Sequence, residues 1–288
     1  MKTFKLLTDS CSNLSKEMIE RLNIDVIPLN YIKDGEVYEN KIDELKQFYD
    51  EMRNKVVFKT AALNENDFYH FFKKFLSAKE DILYIGFGSG LSSSVNNAFL
   101  AKDRLEKEFP ERKIYIIDTL CACLGQGLLL FYADEKRKEG KSIEYVHNYI
   151  ENLKLKIAHY FTVDDLAYLY RGGRLSKTSF LIGNALRLKP ILHLNNNGKM
   201  EALNKCIGKK KALNEMVLRF IKNSVDISNQ IVGIAHGDDL EGALYVKKLL
   251  LDNCSPKEVV ISDIDQTIGA HSGPGTIALF GIVKKRDR

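Results

Sequence analysis

The 288-residue sequence is short of most features that announce a function directly. No apolar run approaches the ~20 residues that a membrane-spanning helix needs. The opening stretch, Met1 to Asp9, meets an acid too early for a signal peptide, so it reads as a first strand and the protein is expected in the cytoplasm. The cysteines, Cys11, Cys121, Cys123, Cys206 and Cys254, are five in number. An odd count without framework spacing argues against a disulfide scaffold. Cys121 and Cys123 stand one residue apart, which is neither a zinc knuckle nor a thioredoxin-type pair, and reduced, partly buried thiols are expected. There is no internal repeat and no low-complexity linker. Nor is there a strong charge of one sign: the net charge is +5, and Lys209-Lys210-Lys211 sits in a segment that also carries acids. That balance is a weak hint of nucleic-acid or membrane contact and fits an ordinary solvated surface better. What is present is 45% hydrophobic and 28% charged residues, the profile of a globular chain long enough for one large domain or two ordinary ones.

Strand-like and helix-like segments alternate through the first half. Phe4–Thr8, Val26–Ile32, Asp81–Gly86 and Lys113–Asp118 read as strands. Lys16–Leu22, Asp43–Arg53, Asn66–Lys79, Ser92–Glu108 and Leu124–Lys138 read as helices, the first capped by Ser12-Asn13-Leu14-Ser15. A turn is expected at Asp34-Gly35. Such alternation with short connections implies parallel strands covered by helices on both faces, and open parallel sheets bind ligands at the C-terminal ends of their strands. The second half changes character. His159–Val163 is a strand, Asp164-Asp165 opens a short helix, and Arg171-Gly172-Gly173-Arg174 forms a loop. Asn195-Asn196-Asn197-Gly198 joins Ile191–Leu194 to Met200–Cys206 in an antiparallel hairpin. Helices are expected at Lys209–Ile221 and Leu240–Leu251, and strands at Ile231–Ala235, Val259–Ile264 and Ile277–Val283. The fold class is therefore α/β with two domains: a Rossmann-like parallel-sheet unit over residues 1–158 and a mixed α+β unit over 159–288, the boundary falling near 155–165.

Several motifs could carry chemistry. Gly86-Phe87-Gly88-Ser89-Gly90-Leu91-Ser92-Ser93-Ser94 follows a strand and opens a helix, where free backbone N–H groups and the dipole favour an anion. It lacks the Gly-Lys-Ser/Thr of a P-loop, the central serine of a nucleophile elbow and the spacing of a dinucleotide fingerprint. An anion site and a plain helix cap both remain open. His271 precedes Ser272-Gly273-Pro274-Gly275, a rigid turn, and could donate a hydrogen bond to a carboxylate or be structural. Arg171 and Arg174 bracket a Gly-Gly and could clamp an acid; pairing with Asp164 and Asp165, or docking a partner, is the favoured alternative. Asp9, Asp118 and Asp238-Asp239 match no ligand spacing and read as caps rather than a metal site. No Ser–His–Asp set is legible, because a triad is geometric and not sequential.

In combination these pieces resemble the DegV family. The matching segments are Thr8-Asp9-Ser10-Cys11-Ser12-Asn13-Leu14-Ser15, Lys59-Thr60, Ser89-Gly90-Leu91-Ser92, Ile117-Asp118-Thr119, and Val163-Asp164-Asp165-Leu166 through Arg174-Leu175-Ser176. Gly183-Asn184-Ala185-Leu186, Lys189-Pro190-Ile191-Leu192 and Gly269-Ala270-His271-Ser272-Gly273-Pro274-Gly275 complete an ordered set over about the whole length. The resemblance implies a two-domain fold with one long-chain fatty acid, palmitate- or oleate-like, buried between the domains. It implies a carrier without catalytic residues, metal or further cofactor. Where a fatty acid kinase exists, such proteins are its lipid-carrying subunit: the kinase phosphorylates the bound carboxylate and the carrier delivers the product to phospholipid synthesis. By motif, Thr60 and Ser92 would hydrogen-bond the carboxylate and His271 would lie at the same end, with Arg171 and Arg174 as pocket or partner support.

The chemistry is consistent. A carboxylate cannot be buried unpaired, and hydroxyls with an imidazole are the donors it needs. At ~0.8 kcal/mol per methylene, roughly 14 methylenes contribute about 11 kcal/mol gross, from which ordering and association costs are subtracted. The chain carries no nucleotide motif, so a kinase partner must bring the nucleotide. Two departures stand out. The family usually follows the threonine with Ser, a variable residue, Pro and Ser, where this chain has Ala61-Ala62-Leu63-Asn64; and it usually has an arginine where this chain has Ile207. An enzyme acting on a small carboxylated or phosphorylated substrate in the same cleft is the alternative reading, a nucleic-acid-binding protein a third, and a monomer the expected state.

Overall fold

The structure, a computed structural model, describes residues 4–176 and 188–287. In chain order the strands are β1 (Phe4–Asp9), β2 (Asp25–Ile27), β3 (Asn30–Lys33), β4 (Glu36–Glu39), β5 (Lys59–Ala61), β6 (Asp81–Gly86), β7 (Ile114–Asp118), β8 (Ile157–Thr162), β9 (Leu188–Leu194), β10 (Met200–Ile207), β11 (Ile231–His236), β12 (Glu258–Asp263) and β13 (Ile277–Ile282). The α-helices are α1 (Lys16–Leu22), α2 (Leu45–Arg53), α3 (Glu65–Ser77), α4 (Ser94–Glu108), α5 (Leu124–Lys138), α6 (Ile143–Leu153), α7 (Ala167–Arg171), α8 (Lys209–Asn223), α9 (Leu240–Asn253) and α10 (Gln266–Ser272).

Three sheets result. The first, in order β2-β1-β6-β7, is wholly parallel, as βα alternation requires. Its central strands β1 and β6 are almost entirely buried, the near-continuous apolar run of a strand covered on both faces. The second has six strands in the order β10-β9-β8-β13-β11-β12; β11 and β12 run parallel and the other neighbours antiparallel. This is the α/β architecture with a parallel and a mixed sheet that the residue pattern implies. Helix α5 lies between them, touching β1 and β6 on one side and β8, β11 and β13 on the other. Every residue from Leu124 to Asp134 is buried, as expected of a helix enclosed on all sides. One continuous core cluster therefore spans both sheets.

The third sheet, β4-β3-β5, was not legible. The expected strand Val26–Ile32 is two strands divided at Pro28: β2 joins the parallel sheet while β3 turns away to pair antiparallel with β4 and β5. Proline removes a ladder donor, which favours a break there. Strand β4 is exposed along its length and has no apolar face to betray it. The turn at Asp34-Gly35 is present between β3 and β4, both residues with positive φ. Helices α6 and α10 were also missed, and α4 begins at Ser94, two residues later than its periodicity suggests. The hairpin at Asn195–Gly198 forms as expected, with Leu194 opposite Met200. The segment Gly183-Asn184-Ala185-Leu186 lies outside the described residues.

Candidate ligand-binding site

The site is assembled from the edge of the third sheet, the loop after β6 and helix α10. Thr60 is the middle residue of β5, opposite Tyr31 of β3. His271 stands in the last turn of α10. This seven-residue helix is set by its cap: Asp265 accepts from the backbone N–H of Ile268 at 2.9 Å. Such a cap stabilises a helix by about 1 kcal/mol, a large share for so short an element. The helix ends because Gly273 adopts φ of +81°, and a Cβ there would lie 2.4 Å from the Tyr168 ring. Gly275 is held on the far side of the turn: a Cβ there would lie 1.9 Å from an Asp164 carboxylate oxygen, and Lys209 Nζ donates to its carbonyl at 2.7 Å. The Gly-Pro-Gly turn is thus a packed joint rather than a mobile flap.

Thr60 Oγ1 and His271 Nε2 are 2.8 Å apart. Both line a cavity of about 90 Å³ together with Ser92, Ser93, Arg174, Thr267 and Ser272 and an apolar wall that includes Leu29, Phe87, Leu91, Leu169, Met200 and Ile268. The sequence-predicted trio Thr60, Ser92 and His271 therefore does share one cavity. Ser92 Oγ lies 3.1 Å from Ser94 Oγ, which in turn accepts from the Leu63 backbone at 3.2 Å. The imidazole is held neutral, its pKa drawn down to about 4 by burial and, secondarily, by the Arg174 charge. His271 Nδ1 and Ser272 Oγ are buried without a hydrogen-bond partner. Orphaned buried polar atoms are uncommon in folded proteins, and here both belong to residues that line the cavity.

Some of the other sequence expectations are corrected. The helix at the glycine-rich loop does not open at Ser92, and the loop's glycines are required by packing, not by ligand approach. A Cβ on Gly88 would lie 2.8 Å from the Cys121 backbone, and one on Gly90 2.5 Å from the Asn197 carbonyl. Ser92 N–H is taken by the Gly88 carbonyl at 3.2 Å and Ser89 N–H by Asp118 at 3.0 Å. Hydroxyls rather than a ring of free amides are what this loop offers. Arg174 lines the cavity, donating to the Leu91 carbonyl at 3.0 Å and the Gly172 carbonyl at 2.6 Å; Arg171 lies over the Tyr168 ring, 5.4 Å from its centroid. Neither forms the expected network with Asp164 and Asp165. Asp164 pairs instead with Lys189 and Lys209 at 2.8 and 3.1 Å, and Asp165 accepts from the Ala167 backbone at 2.8 Å. Asp9, Asp118, Asp238 and Asp239 are scattered: Asp9 accepts from Tyr84 and the Phe87 backbone, Asp118 from Ser89 and Leu120, Asp238 pairs with Arg53, and Asp239 caps α9. Among the described residues no three His, Cys, Asp or Glu side chains gather as a metal set, and no helix is long and apolar enough to cross a membrane.

Reading one residue at a time missed Gly172 and Ser272. A Cβ on Gly172 would fall 2.0 Å from His271 Nδ1, so that glycine is what lets the ring sit where it does. The Gly172-Gly173 pair was visible in the sequence, but its neighbour, 99 residues on, was not.

A helix enclosed between two sheets, and a cavity with apolar side chains in its wall and hydroxyls and a neutral imidazole at its head, have the form of a small-molecule site. The chain belongs to the DegV family, whose model, described as "Uncharacterised protein, DegV family", matches residues 3–284. A DegV domain-containing protein of Clostridium perfringens is 38% identical over 283 residues, covering 97% of each chain. Among solved structures, a DegV family protein from Thermus thermophilus described as fatty-acid binding superposes with a TM-score of 0.88 at 27% identity, covering 98% of this chain and 99% of that one. A DegV lipid-binding protein from Thermotoga maritima gives 0.88 at 28% identity over the whole of both chains.

Proposed function

We propose that this protein binds one long-chain fatty acid, with the carboxylate held by Thr60, Ser92 and His271 and the tail among the apolar residues behind them. The observation that carries the proposal is the Thr60–His271 contact at 2.8 Å in a cavity that sets hydroxyls and Arg174 beside an apolar wall, in a chain similar over nearly its full length to structures described as fatty-acid and lipid binding. The orphaned Ser272 hydroxyl and the Arg174 guanidinium beside the cavity add a donor and a positive potential, both of which favour an anion. Ala61 puts a methyl group in the wall where the family pattern usually has a serine, so the head group has one hydroxyl fewer to draw on here. The cavity is smaller than the ~300 Å³ at which drug-sized sites begin. Side chains such as Met200 and Leu169 therefore repack as the tail enters, methionine being the most adaptable of the apolar residues.

The carboxylate end is the end a partner would reach. An open cavity of about 500 Å³ adjoins the first through Leu91, Ser92, Ser93, Arg174 and Met200 and carries Lys199 on its wall. In this reading a separate fatty acid kinase brings its nucleotide to that mouth, and the protein itself is a cytoplasmic carrier built from subdomains 1–158 and 159–288. The enzyme alternative is less well supported. A histidine base is normally oriented by a third group, and His271 Nδ1 has no partner. Replacing Thr60 by valine tests the head group: fatty-acid affinity falls by about tenfold or more, the cost of one hydrogen bond to a charged group, while the thermal midpoint changes little. Unchanged affinity in this variant contradicts the assignment.

A further inference from the structure

The cavity headed by Thr60 and His271 has a mouth and a far wall. Leu91, Ser92, Ser93, Arg174 and Met200 also line the open cavity beside it and form the mouth. Away from the mouth the wall is made by Leu29, Phe87, Ala122, Leu169, Thr267 and Ile268. Helix α5 begins just beyond Ala122 and is enclosed by both sheets, so that side is closely packed. The side formed by Leu29 and Thr267 is different. A second cavity, of about 380 Å³, lies behind it: Pro28 and Gln266, the chain neighbours of Leu29 and Thr267, line that space together with Ser10 and Asn40. Leu29 and Thr267 therefore form a thin partition between two cavities.

Asn40 holds the partition together. Its backbone N–H donates to the Leu29 carbonyl at 3.1 Å, and its side-chain amide donates to Thr267 Oγ1 at 2.8 Å. The same amide nitrogen lies 2.9 Å from Ser10 Oγ, which accepts from the Leu29 backbone at 3.0 Å. Four separate segments meet here: the residue after β1, the one before β3, the one after β4 and the first turn of α10. Leu29 and Thr267 are only 1% and 4% exposed.

Magnitudes decide what such a wall does to a lengthening acyl chain. One more buried methylene multiplies affinity about fourfold. Stripping a buried polar group of its hydrogen bond costs about tenfold or more, and a tail that enters the partition parts Thr267 from Asn40. Growth of the tail is thus favourable up to the partition and unfavourable through it.

We propose that the Leu29–Thr267 partition, held in place by Asn40, sets the upper length of the acyl chain that this protein accepts. The inference rests on the fatty-acid reading above. Asn40 is a positioning residue, acting through Leu29 and Thr267 and touching no ligand.

Native mass spectrometry of the full chain, after incubation with an equimolar mixture of laurate, myristate, palmitate, stearate and arachidate, reads the ratio of bound species. In the wild type each longer acid is expected to outcompete the one before it by about tenfold or more, until one member beyond which the longer acid loses. In Asn40→Ala and in Thr267→Ala that break is expected to move at least one member further along the series, a shift that a general loss of stability does not produce. Should one variant fail to fold, the other decides. A preference that rises unbroken through arachidate in the wild type, or a break at the same member in every folded variant, overturns the proposal and leaves fatty-acid binding intact. A chain that takes up none of the series removes the fatty-acid reading and this inference with it.

Discussion

At the scale of single residues, the site depends on a few contacts that admit no substitute. Gly172→Ala would drive a methyl into His271 Nδ1. It is expected to displace the ring and weaken fatty-acid retention while leaving the sheets intact, which circular dichroism and a lipid-retention assay together would show. Two buried groups also write opposite signatures into the pH dependence of stability. Stability rises with pH wherever the unfolded chain binds more protons. His271 is drawn from 6.5 to about 4, so between those values the unfolded chain takes the proton and the fold loses stability as pH falls. Asp265 is pushed from 3.8 to about 7, chiefly by burial and with the Asp9 charge adding to it; there the folded chain holds the proton and stability falls as pH rises. Each amounts to a few kcal/mol, and they oppose one another between about pH 4 and 6.5. His271→Gln should therefore unmask a stability that declines toward neutrality, and Asp265→Asn one that climbs. Denaturant titrations across that range check both; parallel profiles in the two variants contradict the assignment.

The elements differ in how plainly the residues announce them. Apolar runs bounded by turn residues made β1, β6 and β7 legible, and Asn195–Gly198 made the hairpin legible, because those signals are local. Helix α6 was overlooked although Ser142 caps it and Ile143, Val146, Ile150 and Leu153 are its buried face. Helix α10 hid because Gly269 sits mid-helix, where glycine costs about 1 kcal/mol relative to alanine and argues for a turn. Its Cβ would lie 2.7 Å from the Tyr49 hydroxyl, so the glycine answers to packing and not to the backbone. For the same reason the site was only half readable. Thr60 came from family resemblance, since β5 is three residues with no buried face, while Ser272 and Gly172 matter only through neighbours distant in sequence. Helix α10 is tied to its surroundings by Asp265, which caps Ile268 and accepts from Asn40. Asp265→Ala removes both and is expected to lower stability by about 2 kcal/mol and lipid retention more than that loss explains.

The whole molecule is joined through Arg286, near the end of the chain and 2% exposed. It meets no carboxylate among the described contacts; its guanidinium donates to the carbonyls of Ile157, Leu120, Asn195 and Lys154 and to Cys121 Sγ. These partners lie in the segment after the parallel sheet, the hairpin turn of the mixed sheet and the stretch linking the two. A planar fork with five donors serves that geometry and an ammonium does not. Arg286→Lys is accordingly expected to destabilise the protein nearly as much as Arg286→Ala, by about 3 kcal/mol, in equilibrium unfolding. Held together in this way, the sheets enclose α5 and leave the small cavity headed by Thr60, Ser92 and His271 between the turn of α10 and the loop after β6.

The central claim is that this cavity holds a fatty acid, and the most direct measurement is mass spectrometry of an organic extract of the purified, untreated protein, beside native mass spectrometry of the intact chain. The account predicts one long-chain fatty acid per chain. A protein that is empty, and that also fails to take up added palmitate or oleate, would contradict it.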